Sequence, residues 1–482
     1  MLALTGASAR EALIADVYPL PETLDPTRVT SASHYIVLSH LVRPLVRLDA
    51  FAQVVGDLAE SWTISRDFRE FTFTLRSDAR WSDGTLITAS DVAATFEAQR
   101  AAGSAIHADF KKVVAAVAAD ARTLRVKLAA PNGSFLRSAA HPEFGVLRKP
   151  EAKTDMERFA VTSGPYVLKS AVPGKEFRLA KNPFHPGFAH SAPENVWFQS
   201  NDTADQLRLV RAGLVDFVMP RGEIAPGDHR ATLAEPGTMA WRPHIGFTYW
   251  LSMNPNGKPL ADVRVRRWLQ GILAPGSIDH DALAPFWGPA PQLYLPDGIG
   301  RLSPGELDEF WRETARLKRP ANAPSRLSLL VNARYPLKGV IAEKLKRAGV
   351  VVSTREYVTQ DDFVRLMRES SYDLVLINND FSSADLIENL GVTFNETRPL
   401  VMVPKGDTFY GSRLREAQDD FSADGRHRVF RDIASRLLSD GLVCPLSYFH
   451  VVGYHSASLD VSAWSKLFPE VSFWKATLKR TP

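Results

Sequence analysis

Cysteine is almost missing from this 482-residue chain, which has only Cys444, in the apolar stretch LVCPLSYF. A single thiol excludes an internal disulfide and leaves no CxxC pair for redox chemistry or zinc, so Cys444 reads as a small buried hydrophobe. Long apolar runs are missing too, and no stretch reaches the roughly 20 residues that cross a bilayer as a helix. Charge of one sign is scarce: 58 Lys and Arg against 54 Asp and Glu leave a net charge of +4. With no basic block, nucleic acid and anionic membrane are not expected partners. No GxSxG elbow, Walker-A loop or HExxH helix occurs. Gly298-Ile299-Gly300 lacks the third glycine of a dinucleotide turn. The pairs His185/His190 and His450/His455 stand five apart, not four, with no carboxylate or thiol cluster nearby. The expectation is no metal, no cofactor, no catalytic residue and no enzyme.

What is present is an ordinary globular composition, 45% hydrophobic and 23% charged, in a chain long enough for two or three domains. The first nine residues, MLALTGASA, end in the small-x-small pattern of a cleavage site without a basic region ahead of them. They read as the tail of a longer signal peptide.

The most informative stretch is Leu58 to Arg100, LAESWTISRDFREFTFTLRSDARWSDGTLITASDVAATFEAQR. Phe71, Phe73 and Leu75 alternate with Thr72, Thr74 and Arg76, which predicts a strand with one buried face. Arg66-Asp67 and Asp83-Gly84 supply turns. Thr88 followed by Asp91 resembles a capping box opening a helix that buries Val92 and Phe96. Ahead of it, a strand is expected at Ala12 to Tyr18 and a helix at Ser31 to Val46. Behind it come a strand at Asp120 to Leu128, a polar helix at Glu151 to Phe159, and a hairpin through Tyr166–Leu168 and Phe177–Leu179. A helix stopped by Gly213 and a short strand, VDFVMP, follow.

His244 to Asn254 is crowded with aromatic and β-branched residues and reads as a strand. Asp262 to Leu273 is a helix presenting Val263, Val265, Trp268 and Leu269 to a core, and Pro304 to Leu317 is another. Strand and helix then alternate through Arg326–Val331, Leu337–Ala348, Val350–Tyr357, Gln360–Ser370 and Tyr372–Ile377, the pattern of a βαβαβ lobe with a parallel sheet. A helix broken at Asp424-Gly425 spans Ser412 to Leu438, and one long strand is expected from Val443 to Tyr454. Ligands of open α/β sheets bind beyond the carboxyl ends of the strands. That rule singles out Asp380 and Asp385, just past LVLINND, and Trp250 beside Tyr249 is a second candidate lining group.

Several landmarks together carry a resemblance. They are PETLDP at Pro21 to Pro26, the stretch Asp57 to Ala98, SGPYVL at Ser163 to Leu168, GLVD at Gly213 to Asp216, and PLADVRVRRWL at Pro259 to Leu269. KLKRAGVVV at Lys344 to Val352, YDLVLINND at Tyr372 to Asp380 and CPLSYF at Cys444 to Phe449 complete the series. In this order the chain resembles an extracytoplasmic solute-binding protein of the peptide/nickel class of ABC importers, the family 5 group that includes oligopeptide- and dipeptide-binding proteins.

The resemblance implies an α/β, periplasmic binding protein-like class II (cluster C) fold, with two lobes joined by a hinge plus an inserted domain. Domain I would comprise 10–49, 160–243 and 452–482, domain II 50–159, and domain III 244–451. A peptide or peptide-like solute would be captured by hinge closure and delivered to an inner-membrane ABC permease by a periplasmic monomer. In peptide binders an acid in the loop after the domain III strand holds the ligand's amino group, since a buried ammonium needs a carboxylate partner. In NNDFSSADLIENL that points to Asp385 first and Asp380 second. Main-chain pairing with an extended ligand would involve Ser31, Ser33, Phe247, Tyr249 and Trp250. Where the family commonly has Tyr-Trp after the NP that follows the SGPY hairpin, this chain has Phe184-His185. The alternative is a cytoplasmic ligand sensor of the same fold acting in regulation.

Overall fold

The structure, a computed structural model, describes residues 12–29, 31–49, 53–102, 112–133, 135–220, 224–243, 247–283, 286–294, 300–369, 371–379, 400–419, 423–464 and 470–479. Contacts divide the chain into two units, Met1–Pro243 with Val452–Pro482, and His244–Val451.

The first unit is built on a seven-stranded sheet in the order Thr238–Trp241, Gly453–Ser456, Phe217–Met219, Leu13–Val17, Asn195–Gln199, Glu176–Lys181, Tyr166–Val172. Leu13–Val17 lies near the centre, parallel to both of its neighbours. A central parallel strand is covered on both faces, so its sequence, LIADV, is apolar without alternation apart from the buried Asp16. The helix after it is shorter than expected. It spans Ala32–Ser39, and Leu41 and Leu45 are buried from extended chain instead.

His40, at the end of that helix, sits among Tyr166, Phe198, Phe473 and Trp474 with ring centroids 5.0–5.7 Å away. The Phe473 N–H donates to its Nε2 at 3.3 Å, so the proton resides on Nδ1, which donates to the Ile36 carbonyl at 2.7 Å. Burial lowers its pKa to about 4.

The same unit holds a four-stranded antiparallel sheet, Ala59–Ile64, Glu70–Leu75, Thr123–Leu128, Val113–Ala118. Phe71, Phe73 and Leu75 are fully buried, and Thr72 and Thr74 take the other face. Each such buried side chain contributes roughly 1.5–3 kcal/mol relative to exposure. Helix Ala89–Ala102 packs Val92 and Phe96 on that face. Thr88 N–H donates to Asp91 Oδ2 at 2.8 Å and Asp91 N–H to Thr88 Oγ1 at 3.4 Å, a capping box with Asp in the Glu position. Gly164 of the SGPY motif lies against the Leu41 backbone, where an added Cβ would come within 2.3 Å of the carbonyl carbon. Only glycine fits there.

The second unit is a six-stranded sheet in the order Trp287–Pro289, Val443–Phe449, Phe247–Met253, Leu374–Asn379, Arg326–Asn332, Val351–Tyr357. The last three are parallel, with crossover helices Leu337–Arg347 and Gln360–Glu369. The sheet as a whole is mixed, because Phe247–Met253 runs antiparallel between two strands of the opposite sense. Val263 departs from the expected helix face and is 40% exposed, while Val265 and Leu269 are buried. The expected break in the helical stretch 412–438 does not fall at Asp424-Gly425: the helices are Phe409–Asp419 and Ala423–Ser439, and Asp424-Gly425 lies in the first turn of the second. The expected long strand 443–454 is also two: Val443–Phe449 ends in this unit, and Gly453–Ser456 joins the sheet of the other. No helix among the described residues is long and apolar enough to cross a membrane.

Candidate functional site

Strand direction decides what collects at each end of the second unit's sheet. The parallel trio ends at Asn332, Tyr357 and Asn379, and Val443–Phe449 runs in the same sense. Phe247–Met253 starts at this edge, with Phe247 opposite Phe449 and Thr248 opposite Asn379. The carboxyl edge of the parallel strands is therefore also where the chain enters and leaves the unit.

Tyr249 is the centre of a ring cluster at this edge. Its ring lies 4.7 Å from Trp287 and 5.0 Å from Tyr335, and Trp287 lies 5.1 Å from Phe449. Phe247 reaches Phe449 at 6.4 Å. The polar groups among the rings are a phenol, an amide, a hydroxyl and an imidazole. Tyr335 Oη donates to Asn378 Oδ1 at 2.6 Å, and His280 Nε2 lies 2.8 Å from Ser447 Oγ. Asn378 and Ser447 are the register partners of Tyr249 on either side. Burial, followed by the neighbouring Tyr357 and Tyr249, holds the Tyr335 phenol well above its ordinary pKa, so it acts as a neutral donor. Tyr249 and Trp287 are themselves buried, at 6% and 7% exposure, and Phe247, Tyr335 and Phe449 are half-buried, so the cluster presents partly covered rings with a few fixed amides and hydroxyls, which suits shape recognition and orientation.

Trp250 does not belong to this cluster. It points to the opposite face, is fully buried, and joins the helix-covered core with Leu330, Val375, Ile377 and Phe430. Successive strand residues face opposite ways, so Tyr249 and Trp250 could not both line one surface, and Trp250 is corrected to a core residue. Asp380 and Asp385 lie outside the described residues; the strand leading to them ends at Asn379.

In the first unit, Ser31 and Ser33 lie at the start of the Ala32–Ser39 helix. Ser31 Oγ caps that helix by accepting from His34 N at 3.2 Å and lies 2.9 Å from Ser33 Oγ. Ser33 Oγ donates to the Pro19 carbonyl and is 2% exposed. Its hydroxyl serves the local fold, so Ser33 is corrected from a ligand contact to a structural residue, while Ser31 is half-buried.

The sequence reading missed the ring partners Trp287, Tyr335 and Phe449. Only Phe449 left a signal, as the end of CPLSYF. It also missed Asp16, fully buried at the carboxyl end of the central strand. Asp16 accepts from Gln199 Nε2 at 2.9 Å, Asn201 N at 3.0 Å, Asn201 Nδ2 at 2.5 Å and Gln206 Nε2 at 2.8 Å. Among the described residues, no group of three or more His, Cys, Asp or Glu is placed to hold a metal ion.

Residues 53–270 match the family described as bacterial extracellular solute-binding proteins, family 5, middle. The chain is 29% identical over 263 residues to the probable D,D-dipeptide-binding periplasmic protein DdpA of Escherichia coli (strain K12), an alignment covering 51% of this chain and 50% of that one. The match thus spans about half the length of that relative. The probable deoxycholate-binding periplasmic protein YgiS of the same organism is 28% identical over 423 residues, covering 77% of this chain and 78% of the relative. Among solved structures, the unliganded open form of the periplasmic murein tripeptide-binding protein MppA superposes with a TM-score of 0.81 at 19% identity, covering 98% of each chain. Residues 53–270 are thus similar to the family 5 bacterial extracellular solute-binding proteins, and the chain as a whole shares the fold of MppA.

Proposed function

We propose that this protein is the substrate-binding component of an ABC importer, periplasmic and non-enzymatic, which captures a peptide or peptide-like solute by hinge closure and hands it to an inner-membrane permease. The observation that carries the reading is the ring cluster around Tyr249 at the edge where the chain enters and leaves the second unit. Its half-buried rim at Phe247, Tyr335 and Phe449 would meet the ligand, and no nucleophile–base pair has been identified in the sequence. Relatives named for D,D-dipeptides and oligopeptides support peptide cargo. Asp385, or failing it Asp380, would hold the ligand's amino group as a carboxylate partner.

Native mass spectrometry of the purified protein, followed by calorimetry against a peptide pool, tests the proposal. Saturable binding of peptides is expected; a protein that binds none of them is not a peptide importer's component. Deoxycholate belongs in the same panel, because the uncharged ring surface at Tyr249 suits an apolar ring system and one relative carries that ligand in its name. Asp385→Asn should weaken a peptide with a free amino terminus by tenfold or more and its N-acetylated form far less. Equal loss for both would remove Asp385 from the role.

A further inference from the structure

The second unit's sheet has another edge, opposite the one that carries Tyr249. There the connections into and out of the strands border an open groove of about 910 Å³. It is formed by the first turns of helix Val263–Ile272, the end of helix Pro304–Ala315 with the loop through Asn322, and Ser439 just before the Val443–Phe449 strand. The volume lies in the range of small-molecule sites. Because strand polarity puts it at the far ends of the same strands, the groove is separate from the ring cluster.

Its lining combines two features that are costly apart. Val263 and Leu317 are 40% and 42% exposed although apolar, and Pro320 continues that surface. Beside them stand Arg264, Arg267, Lys318 and Glu313. Arg264 is neutralised by Asp262, which takes its Nη2 at 2.7 Å and its Nε at 3.1 Å. Lys318 makes no ion pair among the described residues. Arg267 donates Nη2 to Thr314 Oγ1 at 2.8 Å and lies over the Phe310 ring at 4.6 Å. Burial lowers its pKa, opposed by Glu313. Arg267 and Lys318 against Glu313 leave one net positive charge beside exposed aliphatic surface. A neutral solute would further desolvate that charge without compensating it, and a cation would be repelled.

We propose that this groove binds an amphiphile with one anionic headgroup and an aliphatic tail, the headgroup on Arg267 and Lys318 and the tail on Val263, Leu317 and Pro320. The site goes beyond the transport reading and does not depend on it.

Calorimetry with decanoate tests the proposal, with decanol and acetate as the tail-only and charge-only arms. Saturable decanoate binding is expected, at least tenfold tighter than either arm. Lys318→Glu and Leu317→Asp change exposed side chains, so both should fold, as circular dichroism can verify, and each should weaken decanoate by at least tenfold. Tyr249→Ala, at the opposite edge, should leave it unchanged. The proposal is overturned if decanoate shows no saturable binding, if decanol binds as tightly, if both groove variants retain full affinity, or if Tyr249→Ala abolishes binding while Leu317→Asp keeps it.

Discussion

The ring of Phe184 lies directly over Gly84, so close that a Cβ on Gly84 would come within 2.9 Å of the ring edge. Gly84 holds a φ of +86°, in the left-handed region. The Asp83-Gly84 turn and the Phe184-His185 position, 100 residues apart in sequence, are one contact in the fold.

Gly84→Ala is therefore expected to destabilise the protein twice over, by about 1–2 kcal/mol from the backbone and by a further steric contribution. Because Phe184 is 44% exposed, Phe184→Ala should remove only the steric part. A double-mutant cycle by denaturant unfolding should show a positive coupling between the two positions; additive losses would mean the ring does not constrain the turn.

His40 makes stability depend on pH. The free imidazole titrates near 6.5 and the buried one near 4. Above pH 6.5 the ring is neutral in both states and the full stability is present. As pH falls from 6.5 to 4, the unfolded chain binds the proton first, and stability drops by about 1.4 kcal/mol per pH unit. Below about 4 the loss is complete. His34, lowered to about 4 mainly by burial, adds a second proton in the same window. His40→Gln should reduce the slope of unfolding free energy against pH there by about one proton, and an unchanged slope would place the titration elsewhere.

Asp16→Asn replaces one acceptor oxygen with an NH2 group facing side-chain and backbone donors. The expected loss is about 2–3 kcal/mol, read as a lower denaturation midpoint with an unchanged m-value. A neutral result would show that Gln199, Asn201 and Gln206 can re-form the network without the charge.

Tyr249 and Trp250 should separate binding from stability. Tyr249→Ala is expected to weaken the cargo found by native mass spectrometry by tenfold or more. Trp250→Phe, in the core, should cost about 1–3 kcal/mol of stability and leave the affinity of the folded protein intact. The reverse pattern would reassign the two faces of the strand.

Sequence reading succeeds here where local periodicity and burial coincide. Phe71, Phe73 and Leu75 alternate because one sheet face is covered, and the βαβαβ run from Arg326 to Asn379 is legible from its regular strand–helix spacing, although its edge strand Val351–Tyr357 is largely exposed. It fails where tertiary context intervenes. Nothing in Phe247–Met253 shows that it runs antiparallel between two strands of the opposite sense. Nothing in Val443–Tyr454 shows that the chain changes sheets at His450–Val452, since each half is equally apolar. The ring site was half legible. Tyr249 stands out by its neighbours, but Trp287 opens a three-residue edge strand and Tyr335 lies in a connection, both too short to carry a period, and only the fold brings them beside it. Trp250 was misassigned because crowding of aromatics does not reveal which face each one takes.

The pairing of Phe247 with Phe449, and of Trp241 with Gly453, has one more consequence. Register partners in an antiparallel pair have Cα atoms about 4.5–5.5 Å apart, so each unit presents its two cut ends side by side. A short Gly-Ser link from Trp241 to Gly453 would close the first unit without the second, and the segment Phe247–Phe449 would begin and end on adjacent strands. In topological terms the second unit is a self-contained cassette, spliced into its host through a single doorway.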